Sequence, residues 1–394
     1  MNGRRLDFAI VGGGLSGGLI ALALHRARPA LAMALIEGGE AIGGNHRWSW
    51  FASDLPPGGE ALLATMRKTI WSGGYDVRFA AHARTLSSAY RSLASADFAA
   101  TLARELPAST VRTRAPVRTV EAGRVVLESG EEVFARTVID CRGFAPTPHL
   151  SGGWQVFMGR HMRTATPHGL QRPIIMDAAV TQHGAYRFVY VLPLAHDELF
   201  VEDTYYADSP ALDRRVLGGR IEAYCAAQGW QGEVLGNETG VLPVITGGRF
   251  AAWRSEVQVP GTVLAGAGGG FSHPLTSYSL PQAVSTALAI AAEADLPAEQ
   301  LAALVDSVAA RHWRQTAFYR MLGRMLFGAG APDQRYRIFE RFYRLPEPLI
   351  ERFYAARSTS ADKLRVLAGK PPVPIGAGLR ALLAPGAPMA QRQP

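Results

Sequence analysis

Only two cysteines, Cys141 and Cys225, occur in 394 residues, too few for a disulfide framework, and their scarcity points to the reducing cytoplasm. A bilayer-spanning run is missing as well. The longest uncharged stretch, residues 257–292, is broken by Pro260, Pro274 and Pro281 and by many Gly and Ser residues, which suits buried chain and not a transmembrane helix. No internal repeat stands out. Arg4-Arg5 precede an apolar run in the manner of a secretory leader, but the glycines that follow sit where a nucleotide fold needs them, so no signal peptide is expected. Basic charge is scarce over most of the chain: residues 1–310 carry 26 Lys and Arg against 28 Asp and Glu. Residues 311–370 hold thirteen against five, an excess equal to the formal net charge of +8.

The chain is long enough, and at 48% hydrophobic composition apolar enough, for a large core in two domains with an appended helical region. Its N-terminus carries an ordered set of dinucleotide-binding signals. Asp7-Phe8-Ala9-Ile10-Val11 reads as a buried strand, and Gly12-Gly13-Gly14-Leu15-Ser16-Gly17 follows with Gly12, Gly14 and Gly17 at GxGxxG spacing. The apolar run 19–24 continues as a helix, and a second strand, 32–36, ends in Glu37, twenty residues after Gly17. Glycines there permit the turn, the close approach to a pyrophosphate and tight helix-on-strand packing. The helix N-terminus faces the phosphates and the acid reaches a ribose hydroxyl.

Beyond the first βαβ unit, Val125–Leu127, the turn at Ser129-Gly130 and Val133-Phe134 resemble a hairpin, and 137–140 reads as a further strand. Runs at 155–158, 173–176, 186–192 and 199–206 are strand-like with no long helical pattern between them, which predicts a sheet-rich insert serving as substrate domain. Asp208-Ser209-Pro210 predicts the start of a helix lasting to about Ala227. Residues 262–265 and the glycines 266–270 return to the nucleotide fold, and Pro281 opens an alanine-rich helix.

Within that insert Phe200-Val201-Glu202-Asp203-Thr204 places two adjacent carboxylates in an aromatic-rich strand. Alternation puts Glu202 on a face with Phe200, Thr204 and Tyr206, and Asp203 on the other with Leu199, Val201 and Tyr205, so at most one points straight into a given pocket. A carboxyl lodged among apolar side chains stays protonated and can act as an acid. The plainer reading is a solvent-facing strand, or acids paired with nearby arginines. Residues 311–370 likewise bear two readings: an amphipathic, Arg- and aromatic-rich surface for an anionic membrane, or a helical cap packed on the cofactor domain. No recognition module for nucleic acid is visible there.

The pentad resembles the FLEET-like motif of flavin-dependent lycopene beta-cyclases, and the bacterial carotenoid cyclase family is similar over nearly the whole chain. Matching segments include Gly43-Gly44-Asn45-His46 with Trp48-Ser49, Pro167-His168-Gly169-Leu170, Arg187 to Leu194, His273-Pro274, Tyr278-Ser279-Leu280-Pro281, Arg324 to Phe327, Phe342 to Pro346 and Lys370 to Pro374. The resemblance implies an isomerase that closes beta-ionone rings at the ends of lycopene, via gamma-carotene to beta-carotene, with FAD that must be reduced but is not consumed. It selects Glu202 as the acid-base residue with Asp203 in support. It implies FAD contacts at Gly12, Gly13, Gly14, Ser16, Gly17, Glu37, Gly44, His273, Pro274, Ser277 and Tyr278. It further implies NAD(P)H as reductant, a peripheral position on the cytoplasmic side of the membrane, and other carotenoid biosynthesis enzymes as partners. No metal site is expected. Whether Glu202 or the flavin delivers the first proton stays open.

The expected architecture is α/β: a Rossmann-type FAD-binding fold in two parts, residues 1–150 and 241–295, a sheet-rich substrate domain at 151–240 and a basic, aromatic helical region at 296–394. The chain departs from the family pattern in Ser277, where a glycine is usual, in Gly159-Arg160-His161 for Gly-Gln-Glu, in Gly323 for Asn, and in Cys141 for a small residue. Two rivals are a redox flavoprotein, either a monooxygenase or a prenyl reductase, and a catalytically silent carotenoid-binding homologue. Aromatic hydroxylases of related fold carry a Gly-Asp pair in their second flavin motif, whereas Gly266-Ala267-Gly268 has no acid nearby, which favours the cyclase.

Overall fold

A computed structural model describes residues 5–369 and 373–390; Arg4 and Lys370-Pro371-Pro372, used above, lie outside them. The apolar strand Leu6–Val11 sits at the centre of a parallel sheet, flanked by Met33–Ile36 and Glu132–Asp140. Val263–Leu264 extends the parallel pairing beyond Glu132–Asp140, and Val111–Arg112 beyond Met33–Ile36. The helix Leu15–Ala27 is buried from Leu15 through Leu24, because its apolar residues face the sheet on one side and the helix Leu280–Ala292 on the other. A Cβ at Gly17 would lie 2.0 Å from the Gly12 carbonyl oxygen, so this helix can approach its strand only with glycine there.

Glu132–Asp140 is one nine-residue strand, not the two short ones expected: residues 132–134 pair antiparallel with Arg124–Leu127, and 135–140 pair parallel with Leu6–Val11. Ala135-Arg136 carries no turn residue, so nothing ends the strand between its two partners.

A second sheet runs in the order Gly232–Gly248, Thr147–Thr164, Glu198–Ala207, Tyr186–Pro193, Ile174–Asp177, Tyr75–Phe79, His82–Leu86. Two of its strands come from before residue 150 and another continues to Gly248. This layer is therefore assembled from separate chain segments, joined by the parallel pairing of Tyr75–Phe79 with Ile174–Asp177. A smaller sheet of Arg47–Phe51, Tyr90–Ala94 and Thr69–Trp71 covers part of it.

The helix expected from Asp208 begins at Arg214 instead. Asp213 caps it, its carboxylate accepting from the N–H groups of Arg215 and Val216 at 3.0 Å, while Asp208 is taken by Arg335 at 3.0 Å. The C-terminal helices turn most of their aromatic residues inward. Tyr319, Tyr343, Phe353 and Tyr354 share a core with Phe188 and Tyr206 of the second sheet, so these helices do form a cap, but it packs on that sheet and not on the cofactor domain as expected. No helix among the described residues is long and apolar enough to cross a membrane.

Candidate functional site

Between the second sheet, the 267–280 segment and the C-terminal helices lies a cavity of about 2200 Å³, counting the open space at its mouth. Its wall is mostly apolar and aromatic. Glu202 lines it on the same strand face as Tyr206, as alternation requires. The accessible surface Glu202 retains is cavity wall; the carboxyl lies deep inside the protein, and that burial raises it to about 7, with the Asp203 charge adding to the rise and a hydrogen bond from Thr204 opposing it. The Thr204 hydroxyl donates to Oε1 at 2.6 Å, and Oε2 has no hydrogen-bond partner among the described residues. No Lys or Arg forms an ion pair with Glu202 among the described residues.

Asp203 is placed elsewhere. It is fully buried on the opposite face, where its Oδ1 accepts from Arg187 Nε at 2.6 Å and its Oδ2 from the Tyr205 hydroxyl at 2.8 Å. Arg220 completes the group by donating to the Tyr205 oxygen at 2.7 Å. Asp203 does not line the cavity, so any support it lends Glu202 acts through the strand.

Three groups on the cavity wall were not anticipated from the sequence as parts of one site, although the third includes Tyr278, expected at the flavin. Glu238, 8% exposed, occupies the same face as Glu202, because both pair with Gly159 in register from either side of the Thr147–Thr164 strand. Burial, then the charge of Glu202, pushes it up to about 8 against the pull of Arg47. Arg47, the second group, lies with its guanidinium 5.4 Å from the Phe200 ring centre, and Asn45 beside it ties this segment to the main chain of Asn237 at 2.6 Å. The third is a run of hydroxyls. Tyr190, which pairs with Glu202 in register, donates to Ser49 at 2.8 Å or to Tyr90 at 3.1 Å, and Tyr90 shares a 2.6 Å hydrogen bond with Tyr278 on the 267–280 segment. Burial holds these phenols well above their ordinary value, so they remain neutral. Glu238 was hidden because its strand is punctuated by Gly232, Gly236 and Gly240. The alternation of Glu238 with Gly240 and Leu242 is the one local signal that marks its face.

The dinucleotide side can be tested for fit in the same way. Gly12 has φ +96°, and a Cβ there would meet the Cys141 carbonyl at 3.0 Å. A Cβ on Gly14 would meet nothing within 4 Å, so the backbone borders open space where the Leu15–Ala27 helix starts without a side-chain cap. Its first N–H groups are therefore available to an anion. Ser16 Oγ is buried with no hydrogen-bond partner among the described residues. Glu37 accepts from the N–H groups of Gly13 and Gly39, both at 2.7 Å, one per oxygen, and each oxygen keeps a lone pair for a ribose hydroxyl. Open space, unsatisfied donors and the acid together fit the pyrophosphate and ribose of an adenine dinucleotide. Gly44, at φ +62°, turns the chain just ahead of His46 at the cavity edge.

The other expected contacts divide. Ser277 and Tyr278 line the cavity, whereas His273 and Pro274 do not. His273 is buried: its Nδ1 accepts from the N–H groups of Leu275 and Thr276, and its Nε2 meets the Phe353 carbonyl at 3.2 Å. Burial lowers it to about 3, so a neutral imidazole ties the 273–278 turn to the Glu347–Tyr354 helix. Ser277 adopts φ +59° and its hydroxyl donates to the Pro243 carbonyl at 2.9 Å, a bond that the glycine usual at this position cannot make. Cys141 is buried beside Gly12 with its thiol held far above the ordinary range, which makes it inert. Among the described residues no cluster of three or more His, Cys, Asp or Glu could hold a metal.

A Rossmann-type nucleotide layer carrying a second, cavity-lining sheet defines the class: an α/β fold shared with flavoproteins. A probable FAD-dependent monooxygenase from Pseudomonas aeruginosa superposes with a TM-score of 0.59 at 14% identity, over 86% of this chain and 100% of its own. The tetrameric form of 2-methyl-3-hydroxypyridine-5-carboxylic acid oxygenase does so with a TM-score of 0.58 at 14% identity, over 92% and 98%. Within that class the chain belongs to the lycopene cyclase family, whose profile, described as lycopene cyclase protein, matches residues 7–379. A lycopene beta-cyclase of Pseudescherichia vulneris is 44% identical over 378 residues, 96% of this chain and 97% of that one. Another, of Pantoea ananas, is 42% identical over 379 residues, 96% and 98% of the two chains.

Proposed function

We propose that this protein is a lycopene beta-cyclase, an isomerase that converts the open ends of lycopene to beta-ionone rings through gamma-carotene. The observation that carries the reading is Glu202, a carboxyl without an ion-pair partner among the described residues, on the wall of a deep, aromatic-lined cavity. Burial keeps much of Glu202 protonated near neutral pH, so Oε2 can hold a proton against the terminal double bond of the substrate while Thr204 fixes Oε1. Phe188, Tyr190 and Tyr206 line the cavity beside it, and their ring faces stabilise a developing cation by about 0.5–2 kcal/mol. The apolar walls keep out the water that would trap such a cation as an alcohol. Gly12 to Gly14, Ser16, Gly17 and Glu37 would hold FAD, with Ser277 and Tyr278 bordering its ring. Reduced FAD, when bound, supplies an electron-rich surface that offsets positive charge; NAD(P)H is the proposed reductant.

The substrate is a long hydrocarbon that resides in lipid, and the C-terminal helices suit a cytoplasmic membrane surface. Leu364 on Ser360–Leu367 and Ile375, Leu379 and Leu383 on Ile375–Leu383 are between 57% and 86% exposed. Val366, Leu367 and Val373 alongside line the cavity mouth, and Lys363, Arg365 and Arg380 are close in sequence, each basic residue contributing about 1 kcal/mol at an anionic surface.

Purified protein incubated anaerobically with reduced FAD and lycopene in anionic liposomes should yield a product of unchanged mass without stoichiometric consumption of electrons. A need for oxygen, or a gain of hydrogen or oxygen, would overturn the reading.

A further inference from the structure

Ring closure brings one proton in and sends a different one out. Protonation of the terminal double bond puts the charge on the adjacent tertiary carbon. The electron pair of the next double bond then forms the new carbon–carbon bond and moves the charge to a methyl-bearing ring carbon. A neighbouring C–H bond breaks, its electron pair becomes the ring double bond, and the proton leaves to a base. Nothing is oxidised or reduced, but donor and acceptor must both face the end group.

We propose that Glu238 is that acceptor: a second catalytic carboxyl, on the same cavity wall as Glu202, that removes the departing proton. The assignment rests on the cyclase reading of the site and adds a residue and a role to it.

Register carries the argument. Glu202 and Glu238 are both cross-strand partners of Gly159, so all three side-chain positions project to one face. Two strand spacings separate the acids, roughly 10 Å between Cα atoms. Gly159 leaves the middle position without a side chain. A Cβ there would lie 2.2 Å from the Phe200 ring and 3.1 Å from Glu238 Cγ, so the ring of Phe200 lies over the glycine and Glu238 packs beside it. Glu202, Glu238 and Arg47 all line the cavity.

The surroundings divide the roles. Glu202 is buried with no cation partner among the described residues, which favours its neutral, proton-giving form, and the Thr204 hydroxyl opposes that only in part. Glu238 has the half-buried Arg47 guanidinium nearby, which favours its charged form. The higher value reached by Glu238 includes repulsion from an ionised Glu202. With Glu202 protonated and ready to donate, that repulsion is gone while the attraction of Arg47 stays. The microstate with Glu202 neutral and Glu238 charged is therefore the one poised for reaction.

The test compares wild type, Glu238→Gln and Glu238→Asp, each loaded with reduced FAD, on lycopene in liposomes, with products separated and identified by mass and NMR. Glu238→Gln should bind FAD as wild type does by flavin absorbance, and form beta-rings at least 100-fold more slowly. Its residual product should shift toward rings with the double bond elsewhere or toward the hydrated alcohol, while Glu238→Asp restores part of the beta-ring rate. In wild type, kcat/KM should fall on both the acidic and the alkaline side of neutrality, since one carboxyl must be ionised and the other protonated. A Glu238→Gln variant making beta-rings within about threefold of an active wild type, or a wild-type profile with a single limb, would overturn the assignment alone. An inactive wild type would overturn the cyclase reading and this role with it. Should Glu238→Gln fail to bind FAD, the wild-type profile and the products of Glu238→Asp decide.

Discussion

Amide replacement at Glu202 and at Asp203, adjacent residues on opposite faces of one strand, should separate activity from stability. Asp203→Asn keeps the shape but deletes the charge that meets Arg187 Nε at 2.6 Å, where the two side chains are 0% and 6% exposed. Removing one member of such a buried pair leaves an uncompensated charge and costs about 3–5 kcal/mol. Two contacts soften the loss: Arg187 still donates to the Thr181 carbonyl at 3.0 Å, and its guanidinium lies 5.9 Å from the Tyr205 ring centre. At about 2.1 cal/mol/K per residue, a chain of 394 residues has an unfolding entropy of about 0.8 kcal/mol/K, so Tm should fall by roughly 4–6 °C. Turnover of the folded variant should persist, because Asp203 does not reach the cavity.

Glu202→Gln should do the reverse. No buried cation loses a partner, and the Thr204 hydroxyl can donate to the new amide oxygen as it does to Oε1. Tm should hold or rise, FAD should bind, and turnover should drop about 100- to 10,000-fold, the share a positioned acid supplies. Thermal unfolding and lycopene turnover in vesicles, measured on both variants in one buffer, read the two effects. An Asp203→Asn protein that is inactive at unchanged Tm, or a Glu202→Gln protein losing as much Tm as Asp203→Asn, would refute the division of faces.

Three further outcomes follow from the same geometry. Glu202 and Glu238 are raised to about 7 and about 8, so between roughly pH 4.5 and 8 the folded protein holds protons that the unfolded chain has released, and stability is lost as pH rises through that window. Glu202→Gln removes its share, so the Tm of the variant relative to wild type should climb from pH 5 to pH 8; a constant gap would contradict the burial argument. At Ser277, a left-handed backbone costs about 1 kcal/mol and the bond to the Pro243 carbonyl returns about 1 kcal/mol. Ser277→Gly should therefore stay within about 1 kcal/mol of wild type while Ser277→Ala, strained and without the bond, loses about 1 kcal/mol more in denaturant titration; equal losses would refute the balance. Gly14→Ala should weaken FAD binding at unchanged apoprotein Tm because its methyl enters open space, whereas Gly17→Ala should destabilise the apoprotein itself; the opposite pattern in calorimetry and flavin titration would refute the assignment of the two glycines.

The nucleotide half was legible because its signals are local. Strand, glycines, helix and Glu37 follow one another within 37 residues, and each fixes its own geometry. The second sheet was less so. Tyr75–Phe79 pairs with Ile174–Asp177 across about a hundred residues, and no local pattern announces a non-local parallel ladder. The start of the Arg214–Ala227 helix was misplaced because Asp208 and Asp213 are equally good caps on paper. Only the position of Arg335 in space takes Asp208 away from the helix. His273 was expected at the cofactor through the family resemblance; its hydrogen bonds run to the backbone of its own turn and of the Glu347–Tyr354 helix. Glu238 stayed hidden because its proximity to Glu202 exists only through Gly159, a residue with no side chain to draw attention.

One sheet keeps two kinds of acid apart by alternation alone. Behind it, Asp203 is matched by Arg187, Tyr205 and, through Tyr205, Arg220, which offset part of the rise that burial imposes on its carboxyl. In front, Glu202 and Glu238 face an apolar cavity with one guanidinium nearby, an arrangement in which two charges cannot both be held cheaply. Had the carboxyls in front each been given a cation partner, their charged forms would be favoured and less of a proton would be held against an alkene. The poor solvation that costs the folded state stability with rising pH is thus the property that keeps a proton in the cavity, and a substitution that satisfied Glu202 with a new cation would stabilise the protein at alkaline pH while removing its acid.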